Sequence, residues 1–154
     1  MNAKNFLAGL GGAIVLNLLH ESLKNKNMDT PRIDHVGEEA LQKVLGFFGS
    51  KIENKDILYK ATLAGDLISN ATYYSMIGNS PANIWGKAVS LGLVAGVGAV
   101  VIPKKIGLDE EPVAKNNQVK ALTVGYYLVG ALATAAILTA LKSNKQDTIA
   151  TSGM

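Results

Sequence analysis

Residues 56–79, DILYKATLAGDLISNATYYSMIGN, decide how this chain is read. The stretch is long and apolar enough to cross a bilayer, yet Asp66 sits near its midpoint. A carboxylate at mid-membrane depth costs on the order of 2.5–3.5 kcal/mol on insertion scales, so it must face protein or water and not lipid. As a helix, the stretch puts Thr62, Asp66, Asn70 and Tyr73 on one stripe, at spacings of four, four and three. Ile57, Ala61, Ala64, Ile68 and Ala71 fall on another stripe that carries no polar side chain. The polar face needs neighbours that hydrogen-bond, and the rest of the chain must supply them.

The chain has 154 residues, 48% of them hydrophobic, and its charges gather between about 20 and 60 and between about 104 and 120. Uncharged apolar runs of roughly 18 residues or more are the mark of membrane spans, and residues 121–141 form one without interruption. Residues 5–23 form the first span. A secretory signal is the rival for this segment, since Lys4 precedes the apolar run, but His20, Glu21 and Ser22 follow it in place of a small-residue cleavage site. Ser80 and Pro81 open a third span that runs to Ile102 and stops at Pro103, with Trp85 near its start as a headgroup anchor. The fourth span covers about 119–142, and the tail, 143–154, is polar and expected to fray.

Between the first two spans, Thr30 and Pro31 read as a helix start. Ile33, Val36, Ala40, Leu41, Val44, Phe47 and Phe48 then follow helical spacing, and Gly49 reads as the stop. The opposite face holds Arg32, Glu38, Glu39 and Lys43, so residues 31–48 are expected to form an amphipathic helix at the membrane interface. The fold expected is therefore an all-α integral membrane protein, a single domain of four spans (5–23, 57–78, 81–102 and 119–142) plus that helix.

Glycine is costly in water-exposed helices and common where membrane helices touch. Gly9 with Ala13, Gly12 with Ala8, and Gly92 with Gly96 form small-residue faces. They suggest close helix packing and a homo-oligomer, most simply a dimer. Lysine and arginine concentrate in the loops 24–56 and 104–118. The positive-inside rule then places those loops in the cytoplasm and both termini outside. In size and layout the chain resembles small polytopic proteins of bacterial inner membranes, which implies that location.

The lipid bilayer is the expected partner. A formal net charge of +3 without basic patches interleaved with aromatics gives no sign of nucleic-acid binding. With no cysteine, disulfides and thiolate metal sites are excluded. No nucleophile–base pair and no phosphate-binding glycine loop follows from the sequence, and no cofactor is expected.

Three functions remain. The first is binding or passage of a cation, proton or small polar solute at Asp66, Asn70 and Thr62, with Tyr73 and Asn17 nearby. The second is a non-catalytic scaffold or accessory subunit in which the polar stripe only fixes helix packing. The third is a metal- or lipid-headgroup-dependent enzyme at His20, Glu21, His35 and Glu39, residue types that bind zinc or paired metals but lie here at no defined metal spacing. The tyrosine doublets Tyr73–Tyr74 and Tyr126–Tyr127 are expected to bond across helices, Tyr126 towards Asp66 or Asn70.

Overall fold

Four asparagines start the four long helices. In the computed structural model, the side-chain oxygens of Asn2, Asn54, Asn83 and Asn116 accept hydrogen bonds from the backbone N–H of Lys4, Ile57, Gly86 and Val119 at 2.9–3.2 Å. Each satisfies a donor that the first turn leaves unpaired. The structure describes residues 2–24, 26, 29–79 and 81–152, without the side chains of 81 and 143–152. Among these the helices are α1 (Ala3–Leu23), α2 (Ile33–Phe47), α3 (Lys55–Ser75), α4 (Ile84–Lys105), α5 (Glu111–Ala114) and α6 (Asn117–Ser152), with two short 3-10 turns, Met76–Asn79 and Pro81–Asn83, between α3 and α4. No strand occurs among the described residues.

Three helices are long and apolar enough to cross a membrane: α1, α4 and the 117–142 segment of α6. Helix α3 equals α1 in length at 21 residues, but Lys60, Asp66 and its hydroxyl and amide side chains dilute its hydropathy. The expected helix starts also shift. Ser80 lies outside the described residues, and α4 begins at Ile84 under the Asn83 cap. Helix α2 begins at Ile33, and the Thr30 hydroxyl instead donates to the Lys24 carbonyl at 3.0 Å. Its end matches expectation. Gly49 takes φ +70°, and the N–H groups of Gly49 and Ser50 return to the carbonyls of Gly46 and Leu45. Helix α6 continues through the polar tail to Ser152.

The long helices pack antiparallel in the order α3, α1, α6, α4. Small residues set these contacts. A Cβ on Gly9 would fall 2.9 Å from the Ser75 nitrogen, one on Gly92 2.9 Å from the Leu128 Cα, and one on Gly96 2.6 Å from the Val124 Cα. One on Gly12 would collide with Thr134 and with the Gly130 carbonyl, while Ala13 is fully buried. These faces are occupied within a single chain, so they give no argument for a second copy.

The core is lopsided. Ala8, Tyr74, Ile77, Ala88, Ala131 and Ala135 close the end of the bundle that holds the α3–α4 turn. There Asn5 donates to Asn79 at 3.2 Å, and the Tyr73 hydroxyl donates to the Leu91 carbonyl at 3.0 Å, joining α3 to α4 near their turn. Away from the turn the two helices part. Large apolar side chains, among them Leu7, Leu18, Ile68, Val89 and Val97, stand exposed around the bundle. A water-soluble monomer rarely shows apolar surface on that scale.

Candidate functional site

Where α3 and α4 diverge, a cavity of about 570 Å³ opens between them, backed by α1 and α6. Helix α2 crosses its wide end. The crossing is close at Gly37, where a Cβ would lie 2.7 Å from the Thr62 Cγ2. The far end of α2 reaches the segment after α4. There the Lys43 ammonium donates to the carbonyls of Ile106 and Gly107, and Glu39 accepts the Asp109 N–H at 2.9 Å. Helix α2 thus straps α3 to the α4–α5 loop and covers the cavity.

Asp66 faces this cavity from α3. Its Oδ2 accepts from the Asn17 amide of α1 at 3.1 Å, and its Oδ1 from the Asn70 amide, one turn on, at 2.9 Å. Asn17 also donates to its own helix at the Ala13 carbonyl, which fixes the amide's direction. Among the described residues no lysine, arginine or histidine forms an ion pair with Asp66, whereas Asp29, Asp34, Glu21 and Glu110 all have such partners. The sequence's polar stripe is therefore one physical cluster, with Thr62 a turn nearer to α2. The Thr62 Oγ1 is buried and has no hydrogen-bond partner. Tyr73 lines the cavity but directs its hydroxyl to α4.

A second polar group closes the wide end. Its centre is His20, only 3% exposed. Burial follows from Asp34, which α2 brings over the last turn of α1. The His20 Nε2 lies 3.5 Å from Asp34 Oδ1, and its Nδ1 lies 3.6 Å from Glu21 Oε1. Neither atom makes a well-formed hydrogen bond to these acids, and Nε2 is buried without a partner. Asp34 is instead held by Arg32, whose Nε and Nη2 donate to its two oxygens at 3.0 and 2.9 Å. Burial works against the charged carboxyl, but the Arg32 guanidinium outweighs it and holds Asp34 at about 2. Glu21 accepts from Lys24 at 2.8 Å and from the Tyr59 hydroxyl at 2.7 Å, and the Lys24 ammonium sits 4.9 Å from the Tyr59 ring centroid. Both acids of this group, Glu21 and Asp34, are already paired.

The four residues considered for a metal do not converge. His20 and Glu21 face the cavity, His35 is half-exposed and lies 3.7 Å from Glu38, and Glu39 is engaged by Asp109. No group of three or more metal-binding side chains is placed to hold an ion among the described residues. Tyr126 lies beside the His20 ring, 6.4 Å between centroids, with its hydroxyl unpartnered, so it does not reach Asp66 or Asn70. Tyr74 makes the bond across helices, donating to the Tyr127 carbonyl at 2.9 Å.

Sequence reasoning missed Asp34 as a site residue and missed the cavity walls from α4. For Asp34 the signal was present: an arginine two residues before it at a helix start. The walls of Val94, Ala95 and Ala99 are ordinary span residues that become a lining only because α3 and α4 separate. Comparison of the chain with protein-family models, curated proteins and solved structures finds no match.

Proposed function

We propose that α3 crosses the bilayer beside α1, α4 and α6, and that Asp66 is a membrane-depth binding site for a cation or proton, reached through the cavity from the end covered by α2. The supporting observation is a carboxylate that faces an interhelical cavity, has neutral amide donors on both oxygens and has no cationic partner among the described residues. Such a group needs a proton or a cation from elsewhere, and intramembrane acids of this kind mark ion paths and proton relays. Helix α2 lies at the interface in this arrangement, with Phe47 87% and Phe48 76% exposed towards lipid. The lysine-rich loops on that end face the cytoplasm.

A second reading has its own support. The Asn17 amide bond ties α1 to α3, and on this reading Asp66 serves packing alone, as in a scaffold. Reaction with a membrane-soluble carbodiimide, to whose central carbon a protonated carboxyl adds, separates the two. In proteoliposomes, binding from the aqueous phase gives an Asp66 adduct by mass spectrometry whose rate follows bulk pH and which is absent in Asp66→Asn. A carboxyl that stays unmodified in the folded protein, or whose rate ignores bulk pH, leaves the scaffold.

A further inference from the structure

We infer that the ligand of this cavity is a lipophilic organic ammonium that carries a second hydrogen-bonding group about one helical turn from its nitrogen. This rests on the reading of Asp66 as a cation site and names what that cation is. Three observations lead to it.

The first is the donor set at Asp66. Divalent metal ions of the calcium and magnesium type take six or more oxygen ligands. Here Asn17 and Asn70 turn their N–H groups, not their oxygens, towards the carboxylate. A bare inorganic ion would find one carboxylate and little else. An ammonium needs only a few acceptors and gains from nearby aromatic faces, and Tyr59, Tyr73 and Tyr127 all line the cavity.

The second is the wall. Leu16, Leu63, Val94, Ala99, Ile102 and Val113 make most of it apolar. A space of about 570 Å³ is within the range that holds a small organic molecule, and such sites pair an apolar lining with a few placed polar groups. A hydrated ion would leave that lining wetted.

The third is an unsatisfied atom. The Thr62 Oγ1 is buried without a hydrogen-bond partner, and Thr62 lines this cavity. Thr62 stands four residues before Asp66 on α3. At the helical rise it lies about 6 Å from the carboxylate level. Buried polar groups are rarely left unpaired, so a ligand oxygen at that level answers it. The remaining acids of the cavity, Glu21 and Asp34, are neutralised by Lys24 and Arg32 and leave Asp66 as the single charge that selects the ligand.

The test uses the full chain in lipid nanodiscs and three fluorescent probes: 3-(1-naphthyloxy)propylamine, whose ether oxygen is four bonds from nitrogen, 4-(1-naphthyl)butylamine, which lacks that oxygen, and the neutral 3-(1-naphthyloxy)propan-1-ol. The ether amine is expected to bind saturably, at least tenfold more tightly than the alcohol and several-fold more tightly than the plain amine. Asp66→Asn removes the preference for amine over alcohol, and Thr62→Val removes the preference for the ether. If Asp66→Asn does not fold, Ala99→Trp, which fills the cavity and leaves the carboxylate in place, must abolish binding of the ether amine. The ether amine must also slow carbodiimide modification of Asp66. Modification that follows bulk pH but is unaffected by either amine overturns the organic-ammonium ligand and leaves the cation or proton site standing. Modification that responds to neither overturns both, and equal binding of amine and alcohol overturns the ammonium.

Discussion

Replacing Asp34 by asparagine keeps the shape of the side chain and removes the charge that Arg32, beside it at the start of α2, and Lys24, at the end of α1, both face. The wild-type carboxyl accepts two hydrogen bonds from Arg32, lies 3.6 Å from the Lys24 ammonium, and its side chain is only 9% exposed. A carboxyl held at about 2 against an ordinary value of 3.8 corresponds to about 2.4 kcal/mol of stability at neutral pH. Arg32 is itself 34% exposed, so solvent screening lowers the expected figure to about 1–2 kcal/mol. The folded value is depressed, so this contribution is complete above about pH 4 and disappears as pH falls through about 2. Thermal unfolding of the detergent-solubilised protein, with and without Asp34→Asn, from pH 7 down to pH 2 measures it. The variant is expected to be less stable by a few degrees at pH 7, and the two curves are expected to meet near pH 2. A difference that stays constant across that range would show that the carboxylate charge is not the source of the stability. No difference at any pH would show that these charge contacts contribute nothing.

Three further outcomes follow from the packing. Gly96→Leu places side-chain atoms against the backbone of Val124 and is expected to cost about 3 kcal/mol or more, read as loss of thermal stability; a neutral result would mean that α4 and α6 are farther apart than described. Asn17→Ala removes the α1 donor to Asp66 and is expected to lower stability by about 1–2 kcal/mol, and no change would mean that the bond does not form. Phe47→Trp in a Trp85→Phe background is expected to give blue-shifted fluorescence quenched by shallow-brominated lipids, and emission typical of water would lift α2 away from the interface.

Much of the helix layout was legible because hydropathy and breaker residues act locally. Residues 5–23 gave a helix near those bounds, the fourth helix starts near residue 119 but runs on to Ser152, and Gly49 stopped α2 through a backbone conformation that glycine favours. Asp66, Asn70 and Asn17 were also legible as a group, since a polar stripe inside an apolar helix has to find amide or hydroxyl partners. The start of α4 was misjudged because a Ser-Pro pair was preferred to asparagine, yet asparagine is at least as good a cap, and it opens all four long helices. Helix α2 starts at Ile33 after Arg32 with no side-chain cap, so no capping residue marks its start. His20 could not have been placed from its own neighbours, because it is buried by α2, fourteen residues on, through Asp34. The cavity was beyond reach for the same reason, since it exists only where two helices fail to meet.

The positions of the small residues explain why those helices fail to meet where they do. Gly92 and Gly96 let α4 lie against α6, and Gly9 lets α1 lie against α3, so both outer helices are held against the inner pair and not against each other. Across the gap, α3 presents Thr62, Leu63 and Asp66 while α4 presents Val94, Ala95 and Ala99. Closing these faces would bury a carboxylate against aliphatic groups that offer no hydrogen bond, at a cost of several kcal/mol. Near the turn, where Tyr73 finds the Leu91 carbonyl, no such penalty arises and the helices are joined. The polar stripe thus both lines the cavity and keeps it open. That yields an asymmetric expectation: Asp66→Leu with Thr62→Val should let α3 and α4 close, making the protein more heat-stable while removing the cavity, and a variant that gained no stability would show that something other than the stripe holds the helices apart.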